Sequence, residues 1–276
     1  MTATTAQAET RTADEPVLLQ EHEGGILRLT LNRPAARNGL SEALICALHD
    51  AVAEATSSPA VRVVVIAANG PAFSAGHDLK EVTAHRGDAD RGRAYFAWLM
   101  ERCSAMMQAV VHCRKPVIAE VQGVASAAGC QFVASCDLAV AGAGARFCTP
   151  GVNIGLFCST PMVALSRNVV RKQAMEMLLT GEMMSADEAM RMGLVNRVVS
   201  DDGLTEATMA LARTVASKSM ATVATGKEAF YRQLEMPLED AYAYASRVMV
   251  ENMLIRDAEE GIGAFLEKRR PNWEDR

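Results

Sequence analysis

A chain of 276 residues, half of them hydrophobic and 22% charged, has the length and apolar content of one large folded domain and excludes a disordered polypeptide. Its formal net charge of −5 argues against a general nucleic-acid binder, yet a few local Lys and Arg side chains could still hold an anionic small molecule. No apolar run approaches the roughly 18 residues of a membrane span.

Residues 1–15 are rich in Thr and Ala, lack an apolar stretch, and carry Glu9, Asp14 and Glu15, which a mitochondrial presequence would avoid. They read as a mobile N-terminal tail on a cytoplasmic protein. Residues 17–20 and 26–31 flank Glu23-Gly24-Gly25 as a hairpin, and Asn32-Arg33-Pro34 breaks the pattern. Ser41 then caps a helix with Leu44, Ala47, Leu48, Ala51, Val52 and Ala55 on one face. Residues 61–67 form a buried strand by β-branched content, and a charged stretch over 81–93 precedes a helical pattern to about His112. Lys115-Pro116 opens the next strand. Residues 138–141 and 145–148 read as short strands around Gly142 and Gly144. Ser185 and Glu188 make a capping box for a helix ending at Gly193, and 194–199 is a further strand. From 201 the pattern is helical, with breaks predicted at Gly226, Pro237 and Gly261. Strands and helices thus alternate over 16–200, and 201–276 is a helical region whose Met-, Leu- and Ala-rich pattern packs on another subunit or on its own core.

The seven cysteines are scattered, odd in number and set mostly among apolar residues, so buried reduced thiols are expected rather than disulfides. With no CxxC pair and dispersed histidines, no metal site is expected. A nucleophile at Cys148 or Cys158 would still need a positioned base.

Two turns built from small residues carry the chemistry. Ser74-Ala75-Gly76-His77-Asp78-Leu79 follows the strand at 61–67, and Gly123-Val124-Ala125-Ser126-Ala127-Ala128-Gly129-Cys130 follows the strand at 116–121. Small side chains let a ligand approach the backbone, and N–H groups at a helix start lack intrahelical partners. Two such donors aimed at one oxygen would form an oxyanion hole. The plainer alternative is a pair of tight turns in an α/β protein.

The stretches Phe73-Ser-Ala-Gly-His-Asp-Leu79, Lys115-Pro-Val-Ile-Ala-Glu-Val-Gln-Gly123 and Cys136-Asp-Leu138 together resemble the crotonase (enoyl-CoA hydratase/isomerase) superfamily. Ser185-Ala-Asp-Glu-Ala189, Gly193-Leu-Val195 and Glu260-Gly-Ile-Gly-Ala-Phe265 fit the same pattern, and residues 127–137 and 149–161 resemble one subgroup within it. The resemblance implies an α/β fold with a spiral β/β/α core, a C-terminal helical trimerisation region, and trimers often paired into hexamers. It implies an acyl-CoA ligand in fatty-acid or acyl-CoA metabolism, with coenzyme A entering only as part of the substrate and no separate cofactor. Carried over by motif, the donors to the thioester oxygen are the backbone N–H groups of His77 and Ala128. The nucleotide and pantetheine would lie near Arg37, Ala75, Asp78, Leu79 and Lys80, and Phe265 and Lys268 of a neighbouring subunit would approach the nucleotide end. Arg33 is a further phosphate partner on charge alone.

The sequence departs from that family where a hydratase places its two glutamates: these positions are Gln131 and Gly151. Neither side chain moves a proton at neutral pH. General acid–base groups each contribute about 10²–10⁴-fold, so hydration by the two-carboxylate route should be crippled. Gly151 is expected to leave space for a water, a bicarbonate or part of a substrate, which Gln131 could orient. Thr149, Ser126, Asn153 and Ser159 are nearby polar candidates whose ordinary roles are caps and turns. His77 is the titratable group next to the hole, although its side chain can point away. Asp137 is expected to fasten a turn, and strand alternation decides which way Glu120 faces. Two functions compete: a lyase or isomerase working through a thioester enolate, with decarboxylation and thioester hydrolysis as routes needing no strong base, and a non-catalytic acyl-CoA binding protein.

Overall fold

The computed structural model describes residues 15–276; the expected tail, apart from Glu15, lies outside the described residues. Its organising motif is a strand that leaves one sheet and, a few residues later, joins a second. β1 (Leu18–Glu23) and β2 (Ile26–Leu31) form the antiparallel hairpin, and α1 (Glu42–Ser57) follows, capped by the Ser41 hydroxyl accepting from the Leu44 N–H. β3 (Val63–Ala68) passes directly to β4 (Ala72–Ser74), after which come α2 (Leu79–Ala84) and α3 (Arg93–His112). β5 (Val117–Val121) passes to β6 (Val124–Ser126) and α4 (Ala128–Ser135), and β7 (Leu138–Gly142) passes to β8 (Arg146–Cys148). α5 (Pro161–Asn168), α6 (Arg171–Thr180), β9 (Met184–Ser185), α7 (Ala186–Met192) and β10 (Arg197–Val199) complete the strand-bearing part. The rest is helical: α8 (Leu204–Ala216), α9 (Met220–Gln233), α10 (Leu238–Leu254) and α11 (Arg256–Leu266).

The larger sheet runs β1-β2-β3-β5-β7-β10 and the smaller β4-β6-β8-β9. Pairing is parallel from β2 to β10 and from β4 to β8, with antiparallel strands only at β1 and β9. Strand alternation sorts the core. Val64 and Ile66 of β3 join the main cluster with Leu44 and Leu48 of α1 and Met106 of α3, while Val63 and Val65 face Met209 and Ala212 of α8. The large sheet is therefore covered on both faces. Glu120 shares its face with Ile118 and meets α8: its Oε1 accepts from Arg28 at 2.7 Å and from the Thr205 hydroxyl at 2.9 Å. That resolves its direction, away from the two small-residue turns.

Three expectations change. Gly226 lies inside α9 and Gly261 inside α11, so neither breaks a helix; Pro237, at the start of α10, does. Gly261 is small for a packing reason, since an added Cβ would lie 3.1 Å from the Trp273 indole. The strand expected over 194–199 shortens to Arg197–Val199, with Leu194 and Val195 buried beside α7. Cys46 is exposed, whereas the other six thiols are buried and unpaired. Among the described residues no helix is long and apolar enough to cross a membrane.

α9 is fixed to the core by a buried ion pair. Lys227 Nζ lies 2.6 Å from Asp137 Oδ2 and also donates to the carbonyls of Val110 and Lys115. Asp137 further accepts from the Tyr231 hydroxyl at 2.8 Å and the Val117 N–H at 2.7 Å, which is the turn-fastening role expected of it. Removing one member of such a pair strands the other. Lys227→Met should lower unfolding free energy by about 3–5 kcal/mol, read from the midpoint and slope of urea denaturation.

Candidate functional site

Both small-residue turns sit where the chain has just crossed from the large sheet to the small one. The first is pinned by Asn38, which is fully buried with φ 51°, a left-handed conformation that Asn tolerates. Its Nδ2 donates to the carbonyls of Asn69 and Ala72, each at 2.8 Å, and its Oδ1 accepts from the Arg33 N–H. The Ser74 hydroxyl donates to the Asn38 carbonyl, and the Ala75 N–H to that of Arg37. Sequence reasoning passed over Asn38; the Asn-Gly dipeptide at 38–39 was the available signal.

Leu40 then forms a parallel bridge with His77, in which the Leu40 N–H donates to Gly76 and the Asp78 N–H donates to Leu40. That pattern uses the amides on either side of His77 and turns the His77 N–H the other way. In the second turn, Ala127 donates its N–H to the Cys148 carbonyl at 2.9 Å and adopts φ 50°, ψ −116°, a strained conformation for a residue with a Cβ. Ala128 is the first residue of α4, so its amide has no intrahelical acceptor.

The turns press on each other. A Cβ at Gly76 would lie 3.4 Å from the Ala128 nitrogen and 3.0 Å from the Ala127 Cβ, and a Cβ at Gly129 would meet the Ser74 carbonyl oxygen at 2.2 Å. Only glycine fits at either place. The amides of His77 and Ala128 are thereby brought to one locality, where such donors can stabilise charge developing on an oxygen.

Five of the residues expected from the sequence, Arg37, Ala75, Asp78, Leu79 and Lys80, line one open cleft of about 520 Å³ together with Arg33 and His77. Burial tends to raise the Asp78 carboxyl pKa, but the Arg33 guanidinium at 2.8 Å and the Lys80 N–H hold it below its ordinary value. Arg33 is therefore committed to Asp78, while Arg37 and Lys80 are exposed and enter no ion pair among the described residues. A neighbouring cleft of about 570 Å³ between α1, α2 and α3 is lined by Glu42, Glu81, Cys46, His85 and Trp98, with no Lys or Arg. Its carboxylates would repel a phosphate, so the Arg37 cleft is the better candidate for an anionic ligand. Phe265 and Lys268, at the end of α11, do not line it; Phe265 is 82% exposed.

Gln131 is buried on the first turn of α4, and Gly151 is buried in the turn that follows β8. The expectation of space at Gly151 is not met on its Cβ side. A Cβ there would come within 2.6 Å of the Leu156 carbonyl oxygen and 2.9 Å of the Cys158 sulfur. In the same turn Ile154, Leu156 and Phe157 are exposed. Burial raises the thiol pKa of Cys130, Cys148 and Cys158, so these groups are protonated filler rather than nucleophiles.

Residues 21–276 match the enoyl-CoA hydratase/isomerase family, and the chain belongs to it. Within that family it is similar to the human enoyl-CoA hydratase domain-containing protein 3, mitochondrial, at 49% identity over 90% of this chain and 80% of the relative, and to its mouse counterpart at 48% over 91% and 82%. Crystal structures tell the same story: an enoyl-CoA hydratase of Mycobacterium smegmatis superimposes with a TM-score of 0.89 at 53% identity, covering 94% of this chain and 99% of that one. The human domain-containing protein 3 structure gives 0.89 at 47%, covering 93% and 100%.

Two outcomes are expected. Gly151→Glu, alone or with Gln131→Glu, should destabilise the fold by about 1–3 kcal/mol through overpacking against the Leu156 backbone, measured by urea denaturation. His77 supplies a pH signature. Burial lowers its pKa below the ordinary 6.5, the nearby Leu40 carbonyl offsetting part of this, so the unfolded chain binds the proton more readily. Stability should therefore fall as pH drops from 6.5 towards the folded value, and His77→Gln should flatten that segment of the midpoint-against-pH curve.

Proposed function

We propose that this chain binds an acyl-CoA thioester, with the thioester oxygen received by the His77 and Ala128 N–H groups and negative charge on that oxygen stabilised in an enolate-type state. The observation that carries the reading is the glycine-tight contact between the two turns, which serves no evident purpose beyond bringing two unpaired amides together. Arg37 and Lys80 supply positive charge for the phosphates, with Ala75, Asp78 and Leu79 along the pantetheine path. The family and the names of its relatives support a crotonase-type lyase or isomerase acting in fatty-acid or acyl-CoA metabolism.

Ordinary hydration is not its reaction, because Gln131 and Gly151 stand where the two carboxylates would be and the Gly151 side is filled by Leu156 and Cys158. That filling favours the second reading, an acyl-CoA binding protein without turnover. A trimer, or a pair of trimers, is supported by the apolar residues that the C-terminal helices expose, among them Leu238, Tyr242, Met253, Leu254 and Phe265. In that assembly Phe265 and Lys268 would reach a neighbour's nucleotide. The human and mouse relatives are named mitochondrial, which weighs against the cytoplasmic location expected from the sequence.

The test varies the ligand and leaves the fold untouched. By calorimetry, butyryl-CoA should bind about tenfold or more tightly than its thioether S-butyl-CoA, which lacks the carbonyl oxygen, since two hydrogen bonds each contribute about 0.5–1.5 kcal/mol. Crotonyl-CoA hydration should run at least about 10²-fold below a relative with both carboxylates. Equal affinities for thioester and thioether would remove the oxyanion assignment.

A further inference from the structure

The thioester reading leaves one cavity without a role, the cleft of about 570 Å³ between α1, α2 and α3. Its walls follow from how those helices start. The parallel bridge between Leu40 and His77 sets two chain segments side by side, and α1 and α2 leave from it within a few residues. The Glu42 N–H donates to Glu81 Oε2 at 3.0 Å, which holds the first turns of the two helices against each other. Glu42 and Cys46 stand one turn apart on α1, and Glu81 and His85 one turn apart along α2 and its end, so each pair lines one wall. The Trp98 indole of α3 lines a third.

The cleft carries negative charge without a counter-ion of its own. Glu42 and Glu81 are half-buried, and neither enters an ion pair among the described residues. The cationic groups beside them are engaged elsewhere: Arg33 holds Asp78 at 2.8 Å, and His85 Nδ1 meets Asp88 at 2.8 Å. Tyr95 senses the same field from behind the wall. Its ring stacks on His85 at 3.6 Å and lies 6.1 Å from Trp98, and its buried hydroxyl meets no partner at hydrogen-bond geometry among the described residues. The phenol pKa is pushed up to about 12, first by burial and then by Glu42, with Glu81 and Asp78 adding to the effect. Two half-buried carboxylates on neighbouring helix turns repel each other, and a cation placed beside both removes that repulsion.

The lining selects the kind of cation. Among the described residues no group of three or more His, Cys, Asp or Glu is arranged to hold a metal ion. The rest of the wall is apolar, with Ala43 and Ala84 beside the indole. An ammonium group on an alkyl stem matches all of these surfaces. It donates to the carboxylates, sits over the indole face and lays its stem along the alanines. The volume lies in the range that holds a small organic molecule. A neutral alcohol would leave the carboxylates uncompensated, and an anion would be repelled.

We propose that the cleft between α1, α2 and α3 is a binding site for an organic ammonium ion, with Glu42 and Glu81 taking its charge and Trp98 covering it. The site is separate from the thioester site and stands without it.

Cys46, the exposed thiol of this chain, lines the cleft and supplies a reporter. Two measurements on the full chain test the site: calorimetry with hexylamine, hexanol and hexanoate, and the rate of Cys46 alkylation by iodoacetamide, followed by mass spectrometry. Hexylamine should bind about tenfold or more tightly than hexanol, the gain of charge-assisted hydrogen bonds, with hexanoate weakest. Hexylamine should slow Cys46 alkylation, and hexanol at the same concentration should not. Glu42→Gln and Glu81→Gln should each weaken hexylamine about three- to tenfold without changing hexanol, since the amide oxygen left by Glu81→Gln can still accept the Glu42 N–H. Trp98→Leu should weaken hexylamine about two- to fivefold; if it does not fold, the two glutamate variants and the wild-type series still decide. Equal affinity for hexylamine and hexanol, Cys46 alkylation indifferent to hexylamine, or hexylamine affinity unchanged in both glutamate variants would overturn the proposal.

Discussion

Everything at the candidate site depends on one steric constraint, the absence of side chains where the two turns meet. Gly129 lies so close to the Ser74 carbonyl that no Cβ could enter, and Gly76 lies as close to Ala127 and Ala128. Backbone approach at this range brings the amides of two separate strand ends close together. The surrounding structure maintains the approach. Asn38 ties the first turn to the loops at 69 and 72, and the Cys148 carbonyl anchors the second. Ala127 holds a backbone conformation that is unfavourable by roughly 1–3 kcal/mol, and the bonds around it keep it there. Strain of this kind persists where it serves to aim a group.

Against this backbone geometry stands the absence of a carboxylate at positions 131 and 151. The Gln131 amide and the Thr149 hydroxyl are buried, burial raises the thiol pKa of Cys130, Cys148 and Cys158, and the Cβ side of Gly151 is closed by a backbone carbonyl and a sulfur. Replacement of a carboxylate by an amide preserves shape and hydrogen bonding while removing proton transfer. Burial also lowers the His77 pKa, favouring the neutral imidazole, with the Leu40 carbonyl offsetting part of the effect.

Polar contacts beyond the Thr205–Glu120 bond join the helical region to the core. Lys227 and Tyr231 of α9 converge on Asp137, and Arg62, ahead of β3, receives the Asp275 carboxylate while donating to the Ala216 and Lys218 carbonyls. The last residues thus fold back: Trp273 lies against Gly261 and donates to the Ser217 carbonyl, and the Asp257 carboxylate accepts the amides of Glu274 and Asp275. The last residues thus hold α11 at its first turn and at its middle.

Much of the architecture was legible in the sequence because it is written in local chemistry. β-branched runs became strands, Ser41 and the Ser185–Glu188 box began helices where expected, and the apolar stripe of α1 is the buried one. Glycine was the weak point: Gly226 and Gly261 read as breaks, but a helix docked by Lys227 or covered by Trp273 tolerates them. At the site, the sequence by itself determined which residue types are present, hence that two small-residue turns exist and that no carboxylate stands at 131 or 151. Only the tertiary structure decided that the turns touch, that Glu120 faces α8, that the space on the Cβ side of Gly151 is filled, and that Gln131 Oε1 and Thr149 Oγ1 are buried without a hydrogen-bond partner among the described residues. The division has a physical cause. Backbone propensity and side-chain chemistry are properties of neighbours in sequence, whereas steric exclusion and hydrogen-bond satisfaction depend on atoms that meet only when distant segments fold together.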